Sequence, residues 1–196
     1  MKAIEAFFLR AKHWQIFALF MGLFVVGNIV ELMTIAQSDW PTGRMGTASI
    51  VVNGGVMALF AVCFLAWFWA MGSFLHAISR QPQRLKLTFF KFAVIYPVLY
   101  IPLAAPFFLS SDPSMVAIIL PLHFLAMFCL FYDLYFVAKH LVIAETGKSV
   151  TFYDYAGPFF LIWFFPVGIW FVQPRLNRLY AERNSVRTIV EDAAIS

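Results

Sequence analysis

From Trp14 to Ala36 the chain carries a single charged side chain, Glu31. A helix crosses the hydrocarbon layer of a bilayer with about 20 apolar residues, so this run alone fits a membrane far better than a soluble core. Comparable apolar runs follow at about 49–75, 92–109 and 115–138, with a shorter one at 157–172. The composition agrees. Hydrophobic residues make up 62% and charged residues 12% of 196, against roughly 45–50% and 25% in soluble domains. So few charges cannot cover the surface of a soluble monomer, and so apolar a chain is not disordered.

The expected fold is all-α, a single polytopic membrane bundle over residues 1–196. It has four spanning helices, a fifth apolar element broken by proline and glycine, and a basic tail over 174–196. Lys2, Arg10 and Lys12 precede the first run like the n-region of a signal peptide. That run is too long for a cleaved signal core, so the first helix is expected to stay. The third run holds Pro97, Pro102 and Pro106, and the fourth is expected to continue towards Gly147, a plausible stop. Cys63 and Cys129 lie in separate apolar runs and suggest no disulfide framework.

Lysine and arginine set the orientation. With the N-terminus inside, four spans place nine of these residues inside and only Arg44 outside. Arg175, Arg178, Arg183 and Arg187 follow the fifth element and join the inside set only if that element does not cross. Its brevity and Pro166 favour a re-entrant or interfacial element over a fifth span. Both termini are then cytoplasmic, and the brevity of the chain suggests a prokaryotic inner membrane. The four arginines, with Leu176, Leu179, Tyr180, Val186 and Val190 near one helical face, fit a tail on anionic headgroups. A solvated helix that only fixes topology fits them equally. Nucleic-acid binding is not expected.

Charge inside a span is costly, about 2.5–3.5 kcal/mol for Asp at the centre of a helix, so ionisable residues there are the candidates for function. Asn28, Glu31 and Thr34 share a face that should look into the bundle. Glu31 and His123 lie about 25 Å and about 22 Å from the inner ends of their helices, which makes them an expected pair on a proton or cation pathway. The plainer alternative is that Glu31 snorkels or that His123 satisfies it structurally. Asp133 falls on a stripe with Cys129, Phe136 and His140, near the inner end of the fourth run. It orients His140 or relays protons, or it forms a salt bridge with Lys139, Lys12 or a tail arginine. His13, His76 and His140 share a level at three inner helix ends, the arrangement a metal or haem would need, but without ligand-like spacing along any one helix. No cofactor is expected.

The run Thr151 to Asn177 is the most distinctive stretch, with Gly157-Pro158, Pro166 and Gly168 as breaks and Trp163 and Trp170 as headgroup-level anchors. Asp154 would reach Arg175 if the element is a hairpin. Phosphate-binding loops and nucleophile elbows are missing from the sequence. Three functional readings follow: a non-enzymatic component binding a partner membrane protein, lipid or its own copies; a small proton- or cation-coupled transporter or channel using Glu31 and His123; and a membrane metal or haem redox protein using the inner histidines.

Overall fold

The computed structural model describes residues 2–36, 47–79, 86–108 and 116–195, and all regular structure among them is helical. The helices are α1 Lys2–Arg10, α2 His13–Ala36, α3 Thr47–Ile78, α4 Leu87–Phe108, α5 Val116–Thr146, α6 Phe152–Trp163 and α7 Phe165–Ile195. Three stretches are long and apolar enough to cross a membrane: His13–Met33, Gly54–Ile78 and Val116–Thr146. The apolar stretch of α4, Leu87–Ile101, is shorter. The loop with Arg44, the loop residues Arg80 and Arg84 and the turn Ser110 to Pro113 lie outside the described residues, as do the side chains of Thr34 and Arg187.

Consecutive helices from α2 onward pack in pairs, and α3 also packs on α1 and α5, which makes it the central element. The core is concentrated towards one end of the bundle, where the start of α2, the end of α3 and the end of α5 meet α6 and α7. Ile16 and Phe20 of α2 meet Trp67, Phe68 and Met71 of α3, with Ile162, Ile169 and Leu176 from α6 and α7. The Phe20 ring lies 5.6 to 5.8 Å from those of Phe60, Phe64, Trp67 and Phe165, a geometry worth about 0.5–1.5 kcal/mol per aromatic pair beyond burial. Towards the other end, α2, α3 and α5 leave Phe24, Ile29, Val52, Ile118 and Phe124 exposed. Such surface has no cost against lipid tails, which are as apolar as leucine.

Local chemistry sets the boundaries. Gln15 Oε1 accepts from the Lys12 backbone N–H at 2.8 Å where α1 gives way to α2. Gly147 ends α5 with φ +66° and bonds the Ile143 carbonyl at 2.8 Å. That left-handed cap suits glycine, which has no Cβ to clash. The expected 115–138 span therefore continues as helix to Thr146.

The fifth element departs from its expected outline. Its helix starts at Phe152, so Gly157-Pro158 lie inside α6 rather than at its start. Asp154 draws it forward: its Oδ2 accepts from the Thr151 N–H at 2.7 Å and from the Thr151 hydroxyl at 2.8 Å. These two bonds hold the Asp154 carboxyl below the usual carboxylate range, and they occupy the group that the sequence offered to Arg175. The break falls at Phe164, ahead of Pro166, and α7 runs unbroken through Pro174. At the break the chain folds back on itself. A Cβ on Gly168 would stand 1.6 Å from the Leu161 carbonyl oxygen, so only glycine lets α7 approach α6 so closely.

Both ends of this hairpin lie at one end of the bundle. Arg175 reaches Glu145 near the end of α5, with its Nε 2.8 Å from Oε1 and its Nη2 on Oε2, and Arg178 adds a bond at 3.3 Å. At its tip, Trp163 packs its ring 4.6 Å from Phe131 in the middle of α5. α7 also clamps α1. The Gln173 amide donates to the Phe8 and Ala11 carbonyls at 2.7 and 3.0 Å and accepts from Trp67 Nε1 at 3.1 Å, while Asn177 bonds the Leu9 carbonyl.

Candidate functional site

The stripe Cys129, Asp133, Phe136 and His140 is fully buried along α5. Because α5 extends to Thr146, Asp133 lies about 20 Å from that end by helical rise, deeper than the sequence placed it. Both of its carboxyl oxygens are buried with no hydrogen-bond partner. The salt bridge that would make Asp133 merely structural is not formed. Lys139 bonds the Tyr135 hydroxyl at 3.0 Å, and Arg175 and Arg178 go to Glu145. An ionised carboxylate there would carry an unpaired charge in a low-dielectric interior, so the site favours a bound proton or a bound cation.

Phe136 lies between Asp133 and His140 along the buried stripe of α5. Its ring stacks 4.3 Å from Phe90 of α4 and 4.0 Å from His140. Gly72 of α3 makes room for this stack, since a Cβ there would meet the Phe90 ring at 2.2 Å. Below it, His140 Nδ1 lies 2.8 Å from the Phe136 carbonyl, and His140 Nε2 lies 3.2 Å from His76 Nδ1. A carbonyl only accepts, so in the neutral pair the hydrogen sits on His140 Nδ1, Nε2 accepts from His76 Nδ1, and the free lone pair is on His76 Nε2. His76 is half-buried. Ser73, one turn before it on α3, holds another buried oxygen without a partner. The region thus joins a carboxyl, an aromatic partition and a tautomerically ordered imidazole pair.

The remaining sequence candidates are dispersed. Asn28 and Glu31 are exposed, so their face does not look into the bundle. Glu31 shares the side of α2 that buries Ile16, Phe20 and Gly27, but burial on that side stops at Gly27. The Asn28 amide turns back to the Phe24 carbonyl at 2.7 Å. His123 meets the Tyr100 hydroxyl at 3.1 Å, and α5 packs chiefly on α4, α6 and α3 whereas α2 packs on α3 and α7. Glu31 and His123 therefore do not lie on closely packed helices. Of the three histidines at helix ends two meet, while the His13 ring packs at a tilt against Trp170, with centroids 4.7 Å apart. No cluster of three metal-ligating side chains occurs among the described residues. In the tail Arg175 and Arg178 serve Glu145, and Arg183 is exposed.

Sequence reasoning gave no role to Gln173, Asn177, Glu145 or Trp67. The first two are one turn apart in the Thr151–Asn177 run, and a Gln and an Asn at that spacing are a detectable signal for a polar clamp. No family model, curated protein or solved structure matches this chain.

Proposed function

We propose that the chain is a small integral membrane protein that binds and releases a proton at Asp133 and couples this to proton or cation movement. The observation that carries the reading is the fully buried Asp133 carboxyl with neither oxygen bonded. Asp133 is the membrane-embedded binding group, and the His140–His76 pair is the acceptor on the inner side. Asp133 replaces Glu31 and His123 as the centre of the pathway. In this reading α2 to α5 span the membrane and α6–α7 is a re-entrant hairpin reaching about half its depth. Both termini face the cytoplasm, the membrane is a prokaryotic inner membrane, and no metal or haem is required. The α7 tail lies on the anionic leaflet through Arg183 and the exposed Val186, Ile189 and Val190.

The test is proton flux into proteoliposomes loaded with a pH-sensitive dye, comparing the wild-type chain with Asp133→Asn, which keeps shape and removes the titrating group. Flux reduced at least tenfold in correctly inserted Asp133→Asn is expected. Wild-type flux equal to that of empty liposomes, or unaffected by Asp133→Asn, overturns the reading. The second reading, a component that acts by associating with a partner or its own copies, then takes its place. It rests on the polar Asn28, Glu31 and His123 exposed among the apolar side chains of α2 and α5.

A further inference from the structure

The helices α3 and α4 run antiparallel and leave an open groove of about 320 Å³ between them, with α1 across one end. Val62 and Val98 stand at the far end, Ala66 and Val94 in the middle, and Trp69 with Lys91 at the near end. Seven residues on each helix separate the two ends, a run of about 10 Å. The walls are apolar, and among the described residues Glu5 of α1 is the charged side chain that lines them, with Lys91 at the Trp69 ring beside the mouth.

The near end is built differently. Trp69 Nε1 donates to Glu5 Oε1 at 3.0 Å, and Lys91 Nζ lies 5.1 Å from the Trp69 ring centroid. A carboxylate and an ammonium therefore flank one indole, and no ion pair joins them among the described residues. All three side chains are half-buried. Opposite charges held apart in a partly desolvated place are each short of a counter-charge. Lys91 is the fifth residue of α4, about 6 Å into the helix, where tryptophan and lysine mark a headgroup boundary.

We propose that this groove binds one glycerophospholipid whose headgroup carries both a phosphate and a primary ammonium. The phosphate pairs with Lys91 and the ammonium with Glu5. Trp69 packs against the glycerol backbone, and one acyl chain lies along Ala66 between Val62 and Val98. Any apolar face touches bilayer tails, but the pair of separated charges at the mouth selects the headgroup. The inference goes beyond the proton reading; Glu5, Ala66 and Trp69 stand outside the Asp133 region, while Lys91 lies close enough to His76 to act on it electrostatically.

The experiment uses the full chain purified in detergent, with phosphatidylethanolamine, phosphatidylcholine or phosphatidylglycerol added at equal mole fraction. Retained lipid is counted by native mass spectrometry, and thermal unfolding is followed in parallel. One retained phosphatidylethanolamine and a higher Tm than with the other two lipids are expected. Lys91→Gln and Glu5→Gln should each lower that retention at least tenfold while leaving the helical content and the lipid-free Tm unchanged. Both keep groups that can bond Trp69 or pack on it. Ala66→Phe should block the groove and abolish retention. Equal retention of the three lipids, preferential retention of phosphatidylglycerol, or retention unchanged by Lys91→Gln overturns the proposal.

Discussion

A buried carboxyl that forms no hydrogen bond costs about 1–3 kcal/mol relative to an apolar side chain of similar shape, and Asp133 is such a group. Asp133→Leu should therefore raise stability by about 1–3 kcal/mol while removing the proposed proton site, the usual opposition between stability and activity. Thermal unfolding of the two proteins in the same detergent measures it. A Tm lowered by Asp133→Leu would mean that the carboxyl is held by a bound water or cation and is not a free proton acceptor. This part of the site was legible, because Cys129, Asp133, Phe136 and His140 recur at helical spacing and His76 lies at the level of His140. The partition by Phe136 was not legible, since it depends on Gly72 admitting the Phe90 ring from a third helix. Glu31 and His123 share a depth, but depth along two helices does not say whether those helices touch.

Helix existence followed from apolar length, because backbone groups in a bilayer must be satisfied within the segment. The starts and stops needed side-chain chemistry. Gly147 marked its stop in the sequence, whereas Asp154 and Thr151 moved the start of α6 ahead of Gly157-Pro158. The short helix α1 was hidden among charges that read as a flank. Its ordering depends on Gln173 and Asn177, more than 160 positions away. The hairpin itself rests on one residue. Gly168→Ala would place a methyl group 1.6 Å from the Leu161 carbonyl oxygen, a backbone clash that no rotamer change relieves. A loss of more than about 4 kcal/mol is expected, the range reserved for such local failures. Gly157→Ala, where a Cβ meets nothing within 4 Å, is the control and should be near neutral. Urea unfolding in mixed micelles compares them, and equal effects of the two substitutions would refute the close α6–α7 approach.

At the scale of the molecule the hairpin decides which way the chain ends point. Glu145 lies in the last turn of α5, Thr151 precedes α6 six residues later, and Arg175 returns along α7 to bond Glu145. A segment that crossed the bilayer would carry Arg175 about 30 Å away from that carboxylate, so this contact and a full crossing exclude one another. In the proposed topology the same contact accounts for two of the arginines that would break the positive-inside pattern of a five-span chain, since Arg175 and Arg178 are tied to Glu145 near the end of α5. Accessibility should follow. In a Cys63→Ala/Cys129→Ala background, single cysteines at Ser149, before α6, and Ser185, in the exposed part of α7, are labelled with a membrane-impermeant maleimide. Both are expected to react in inverted vesicles and to be protected in intact spheroplasts. Reaction of the two positions from opposite sides would mean that α6 and the start of α7 cross the bilayer as a fifth span. The Glu145–Arg175 pair would then not form, and Glu145→Gln, which otherwise should loosen the α7 tail, would have no effect on its labelling rate.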